Sequence, residues 1–171
     1  MRQRIASIGF LLLFLAPYTA QVHAAERVTY CEDSIFQIED DVISLLGGSK
    51  WETIGFGFFL SFQDALIISG SAIVDGEPFQ YNELLSDGNR SLVIPVSGTC
   101  VSSTGKRATV VREEEDGEKL TLDDGTVLRF SSYDSFDTGF WLPPYEVLIT
   151  GDGLYMWNLD DGKKVWVQSI Q

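Results

Sequence analysis

Apolar and polar side chains alternate along residues 119–167, a period typical of half-buried β-strands. The segment starts with KLTLDDGTVLRF, passes through the aromatic bend FWLPPYEVLIT and ends with LYMWNLDDGKKVWV. Asp-Asp-Gly sequences at 123–125 and 160–162 each separate two alternating runs. Because Asp-Gly readily adopts the positive φ that tight hairpin turns need, both places are predicted to be antiparallel hairpins.

Residues 42–94 carry a weaker version of the same pattern. When residues 47–49 are placed on residues 124–126, an offset of 77, Ile43 falls on Leu120 and the alternation is kept on both sides of the turn. The alignment predicts strands at 42–46 and 49–54. A competing interpretation is a short amphipathic helix between 34 and 46, because the apolar positions there also fall near helical spacing.

A second match follows the aromatic bend. An offset of 82 aligns Asp64 with Glu146 and Leu66 with Leu148, and the change in offset is explained by an insertion in the bend, where loops tolerate it. The sequence is therefore interpreted as a duplication.

The expected fold class is all-β, with two tandem copies of a small antiparallel barrel-like module. A single sheet of about five short strands is only marginally stable unless it closes into a barrel or packs against a second copy of itself. The alternative is one two-sheet β-sandwich. The predicted organisation is a signal peptide at 1–24, a first β module at 25–98, a Ser-, Thr- and Gly-rich linker at 99–108 and a second β module at 109–171.

The first 24 residues indicate export. They have a basic start at Arg2 and Arg4, an apolar run from Ile8 to Ala16, and small residues around the expected cut after Ala24. These are the marks of a signal peptide, and the apolar run is too short to span a bilayer. A periplasmic or secreted protein without a stable membrane anchor is expected.

The charge of the chain narrows the class of partner. Removing residues 1–24 leaves 10 basic and 25 acidic residues, a net charge of −15 over 147 residues. Such a charge repels phosphate backbones, so nucleic acid is not an expected partner. It attracts a basic exported protein, although acidity of this kind also serves simply to keep a protein soluble.

Cysteine and histidine usage limits the possible chemistry. Cys31 and Cys100 are the only cysteines, and in an oxidising compartment they are expected to form a disulfide that stabilises the fold by about 4 kcal/mol. The only histidine, His23, lies in the predicted signal peptide. The remaining chain therefore has no Ser-His-Asp triad, Cys-His dyad or histidine zinc ligand.

No metal or other cofactor is expected. The chain has six Asp-Gly turns, but none has the alternating acids and distant Glu of a calcium loop. The only route to catalysis that the internal symmetry suggests is a carboxylate pair, Asp64 with Glu146, of the type that glycosidases use. With this many acids, a suggestive pair is expected by chance.

Two groups of side chains are candidates for binding. Trp141 and Tyr145 lie in the stiff aromatic bend, where they would form either a surface platform or part of the core. Trp51, Trp157 and Trp166 occupy strand patterns and are expected to point inward. The second group is an acidic run that would steer a basic partner or would be only a solvated turn, namely Glu113, Glu114, Glu115 and Asp116.

These observations favour an exported, non-enzymatic acidic β-module that binds a protein partner, as an inhibitor or an immunity-like factor would. The expected partner is a basic exported protein such as a cell-wall hydrolase or a toxin. One alternative is a carbohydrate-binding or envelope-structural module that uses Trp141 and Tyr145. The other is a carboxylate-dependent hydrolase.

Overall fold

A computed structural model describes residues 26–55 and 57–171, in which antiparallel strands dominate. The predicted signal peptide lies outside the described residues. The first six strands are β1 (Glu26–Glu39), β2 (Val42–Leu45), β3 (Lys50–Ile54), β4 (Asp64–Val74), β5 (Glu77–Ser86) and β6 (Asn89–Ser97). The others are β7 (Ser103–Glu114), β8 (Lys119–Leu122), β9 (Val127–Arg129), β10 (Tyr145–Ile149), β11 (Tyr155–Asn158), β12 (Lys163–Trp166) and β13 (Ser169–Ile170), with a 3₁₀ turn (Glu115–Gly117) and one helical turn, α1 (Ser135–Thr138). The all-β prediction is confirmed.

The strands form two rings of antiparallel pairs, of which the first is closed by pairing at every step and the second is closed where the chain continues from β12 into β13. In the first ring, β1 pairs with β2, β2 with β3, β3 with β6, β6 with β5, β5 with β4, and β4 with β1. In the second ring, β7 pairs with β8, β8 with β9, and β9 with β13. On the other side, β12 pairs with β11, β11 with β10, and β10 with β7. Two residues separate β12 from β13, so these strands share the place that β6 has in the first ring.

The first hairpin of each ring has the same local pairing. The amide of Leu45 donates to the carbonyl of Ser49 at 2.8 Å, and the amide of Leu122 donates to the carbonyl of Thr126 at 2.9 Å. Both rings also have a register shift in the preceding strand, in β1 and in β7. The hairpin bonds differ by the predicted offset of 77 residues, whereas the register shifts, at 35–37 and 110–112, differ by 75. The duplication as such stays a prediction.

The competing helical interpretation of residues 34–46 is wrong. Residues 34–39 belong to β1 and residues 42–45 to β2, which pair with each other across a tight turn. The apolar residues at near-helical spacing are shared between two strands, and of them Ile35 on β1 and Leu45 on β2 are buried in the ring. The predicted strands at 42–46 and 49–54 are confirmed to within one residue as β2 and β3.

The predicted linker at 99–108 needs correction, because residues 103–108 belong to β7. This part of β7 pairs with β1, with Thr104 opposite Thr29, and joins the two rings into one sheet. A Cβ atom at Gly105 would lie 2.6 Å from the carbonyl oxygen of Ile149, so the glycine allows a close strand contact here. Gly105 therefore marks a place of tight packing between β7 and β10.

Three clusters of buried apolar side chains stabilise the fold. One fills each ring, and the third lies between the rings. The indole Nε1 of Trp157 also donates to the carboxylate of Glu32 across this contact at 2.6 Å. The third cluster consists of Val28, Tyr30, Leu66, Ile68, Leu85, Leu148, Trp157 and Leu159.

The predicted disulfide between Cys31 and Cys100 is present, with the two Cα atoms 5.9 Å apart. It connects β1 to the segment that follows β6, so it ties the start of the first ring to its exit.

Candidate functional site

The two aromatic side chains predicted as a binding platform are in the core of the second ring. Trp141 is 7% exposed and Tyr145 is 5% exposed, and their rings contact edge to face with centroids 5.8 Å apart. Burial, reinforced by the negative charges of Glu113 and Asp161, raises the pKa of the Tyr145 hydroxyl. The platform prediction is therefore wrong for these residues, because the bend folds back and inserts them among the apolar side chains of the ring.

Other side chains of the same loop are exposed instead. Phe136 and Phe140 flank the end of α1 and contact each other with centroids 5.3 Å apart, and Tyr133 and Leu142 are also largely exposed. The alternation of apolar and polar residues does not predict which side chains of a bend face solvent, so it did not indicate these four residues.

The acidic run is partly neutralised by cations of its own ring. Glu114 lies 2.7 Å from the ammonium of Lys119 and 3.4 Å from the guanidinium of Arg112, and the hydrogen bond from Lys119 lowers the pKa of Glu114. Glu115 lies 3.1 Å from Arg129. These ion pairs make the run a weaker candidate for attracting a basic partner than its sequence indicates.

The carboxylates of the suggested hydrolase pair are each bound to a different cation. Asp64 contacts the ammonium of Lys164 at 3.1 Å, and Glu146 contacts the guanidinium of Arg107. Neither carboxylate lines either of the two cavities of about 700 Å³. The described residues also contain no group of three or more ligating side chains that could hold a metal ion.

The most distinctive surface feature is a β-hairpin that projects from the first ring, residues 70–81, here called the arm. The pairing of β4 with β1 ends at Ser69, and that of β5 with β6 ends at Asn82. Beyond these points, within residues 26–55 and 57–171, β4 and β5 pair only with each other, up to the turn at Asp75 and Gly76. Both turn residues have positive φ, 52° and 87°, as a type I′ hairpin turn requires.

The arm exposes apolar side chains on both faces. Ile73 is 72% exposed and Phe79 is 51% exposed, and no residue of the arm belongs to any of the three apolar clusters. An isolated two-stranded hairpin is only marginally stable in water. The arm therefore has the character of an element that gains stability by packing against a partner.

A small apolar groove lies where the arm leaves the ring, between β5 and β6. Its volume is about 250 Å³, and its lining includes Phe79 and Tyr81 from the arm side and Leu92 and Ile94 from β6. Ile54 of β3 completes its apolar wall. The groove extends the exposed apolar surface of the arm onto the ring.

Negative charge is concentrated on the ring that carries the arm. Residues 26–97 contain 12 acidic and three basic side chains, compared with 13 and seven in residues 103–171. From residue 51 to residue 89 there is no Lys or Arg and there are six acids, two of which, Asp75 and Glu77, belong to the arm. The arm thus combines apolar exposure with a negative electrostatic environment.

Comparison with protein-family models, curated protein sequences and solved structures finds no match to this chain. Among the described residues, no helix is long and apolar enough to cross a membrane. Function must therefore be inferred from the geometry and charge of the chain itself.

Proposed function

We propose that this protein is an exported, non-enzymatic acidic β-protein that binds a basic exported protein, in the manner of an inhibitor or an immunity-like factor. The disulfide between Cys31 and Cys100 supports a periplasmic or extracellular location, because such bonds persist in oxidising compartments. The absence of histidine after His23 and the strong negative charge support a binding role. The partner is a cell-wall hydrolase, a toxin or another exported protein with a basic surface.

The observation that carries the proposal is the arm. It places Ile73, Val74 and Phe79 in solvent on a hairpin whose outer edges pair with no other strand of the described residues, within a stretch, residues 51–89, that has six acids and no Lys or Arg. Exposed apolar side chains and free strand edges are features of recognition surfaces in soluble proteins. The surrounding acids add a long-range attraction that selects basic proteins and raises the rate of association.

Calorimetric titration against a panel of purified basic cell-wall hydrolases and toxins tests the proposal. The expected result is binding to at least one member, weakened by about tenfold or more when the salt concentration rises from about 50 mM to about 300 mM. Acidic proteins of similar size are the matched controls and should not bind. Absence of salt-sensitive binding across the panel would refute the proposal.

A second candidate is carbohydrate binding through the exposed loop of the second ring. The observation that favours it is the solvent-exposed pair of Phe136 and Phe140, because sugars stack on accessible aromatic faces. Glycan-array binding that is lost in Phe140→Ala and kept in the partially buried control Tyr155→Phe would support this candidate. Failure of the wild-type protein to bind any glycan on the array would remove it.

A further inference from the structure

The outer edge of β4 in the arm has backbone groups without a partner strand. Val74 and Glu77 flank a two-residue turn and so bond to each other, and hydrogen-bonding direction alternates along a strand. Ser71 and Ile73 therefore direct their N–H and C=O groups away from β5. Within the described residues, no other strand pairs with β4 beyond Ser69.

This edge has none of the features that normally block strand addition. Natural edge strands are protected by charged side chains, proline, bulges or covering elements. The segment from Ser69 to Val74 contains no charged residue and no proline, and its pairing with β5 continues without a register shift. A regular, uncharged edge of this kind is a template for another strand.

The charges near the outer edge of β4 favour the addition of one kind of strand. Asp75 and Glu77 lie at the tip of the arm, and no Lys or Arg occurs between Lys50 and Arg90. A second copy of this chain would bring the same negative charges together, which is unfavourable. A strand that carries Lys or Arg would be attracted.

We infer that the partner contributes an extended segment with alternating basic and apolar residues, which adds as a strand to the outer edge of β4 at Ser71 and Ile73. This inference rests on the proposed function and specifies its mode of recognition. Backbone hydrogen bonds to the two edge residues give affinity, and apolar side chains of the segment pack on the exposed faces of Ile73 and its neighbours. Basic side chains of the segment lie near the acids at the tip of the arm.

Proline substitutions on this edge provide the test. Ser71→Pro and Ile73→Pro each remove one free N–H without removing a bond of the hairpin, and proline is tolerated where the N–H faces solvent. Ser71→Ala is the matched control because it keeps the N–H. The probe is an acetylated and amidated hexapeptide of alternating lysine and valine, titrated by calorimetry, with circular dichroism to check that each variant is folded.

The expected result is that the peptide binds the wild type and Ser71→Ala equally and that each proline variant binds it about tenfold more weakly. The same peptide with an N-methyl group on every residue should lose binding, because neither of its edges can then donate hydrogen bonds to a strand. Equal binding by Ser71→Pro and Ser71→Ala, equal binding of the methylated peptide, or no binding of the peptide by the wild type would overturn the inference. Salt-independent dimerisation that both proline variants abolish would also overturn it, by placing a second copy on the edge.

Running the basic-protein panel on the same variants separates the two proposals. If a panel protein binds the wild type and both proline variants equally, the proposed function stands and strand addition is wrong. If the peptide binds at the edge but no panel protein binds the wild type, strand addition stands and the proposed function is wrong.

Discussion

At the scale of single residues, the two rings use different bonds at matching places. Cys31 lies opposite Ile67 in the first ring and forms the disulfide, whereas Lys106 lies opposite Ile149 in the second ring and forms an ion pair with Asp124 at 2.5 Å. Burial alone would raise the pKa of Asp124, but hydrogen bonds from Lys106 and Thr126 outweigh it and lower the pKa to about 2. Only Cys31 and Lys106 lie at matching places, because Cys100 follows β6 and Asp124 lies in the turn between β8 and β9.

The lowered pKa makes this contribution to stability depend on pH. The carboxylate of Asp124 titrates below its unfolded value, so its contribution is present above about pH 4 and is lost as the pH falls towards 2. Asp124→Asn should lower the free energy of unfolding by about 1 to 2 kcal/mol at pH 7, after allowance for solvent screening, and by almost nothing near pH 2. Urea unfolding at both pH values measures the difference. The exposed control Asp137→Asn should match the wild type at neutral pH, and equal stability of the two variants there would contradict the account.

Trp141 and Phe140 are adjacent in the chain, but Trp141 is buried and Phe140 is exposed. Trp141→Ala should lower the free energy of unfolding by about 3 to 5 kcal/mol, because it leaves a cavity in the second ring. Phe140 is 72% exposed, so Phe140→Ala should change it by less than about 0.5 kcal/mol. Denaturant unfolding of both variants checks the pair. Similar small effects in the two variants would show that Trp141 is not a core residue.

At the scale of strands and turns, the sequence predicted the positions of the hairpins better than the first and last residues of the strands. The turn residues around 47–49 and 123–125 have strong local signals, and the strands beside them form as expected. Most of β1 and the start of β7 could not be predicted, because their Ser- and Thr-containing segments gain regular structure only from neighbouring strands that are distant in the chain.

The arm is the part of the candidate site that the sequence did not reveal. Residues 70–81 show only a hairpin turn and mixed polarity, and nothing local indicates that β1 and β6 stop pairing at Ser69 and Asn82. Whether a segment has neighbouring strands depends on the whole fold and cannot be read from its local sequence. The acidity of the region was predictable from composition, whereas its coincidence with a free edge was not.

The arm should be removable without harm to the fold. Replacing residues 71–80 with Asn-Gly leaves Gly70 and Tyr81, which are already paired, to flank a two-residue turn. Because no arm residue belongs to a buried cluster, the free energy of unfolding should change by less than about 1 kcal/mol. Thermal and urea unfolding of this arm-deleted variant measure the change. A loss of several kcal/mol would mean that the arm supports the ring.

At the scale of the whole molecule, two rings share one buried interface and one sheet but differ in charge. The third cluster and the pairing of β1 with β7 hold the two rings together. The net charge of residues 26–97 is −9 and that of residues 103–171 is −6. We therefore expect the whole molecule to attract a basic protein, and the ring that presents the arm to attract it more strongly.

The most direct test of this account is the affinity of the arm-deleted variant, relative to the wild type, for a basic protein that binds in the panel. Calorimetry at about 50 mM salt should show binding to the wild type and a loss of about a hundredfold or more in the variant, because the apolar and backbone contacts are removed. The arm-deleted variant keeps most of the negative charge, so a nonspecific attraction would survive the deletion. Equal affinity of the two proteins would contradict the central claim that the arm is the binding surface.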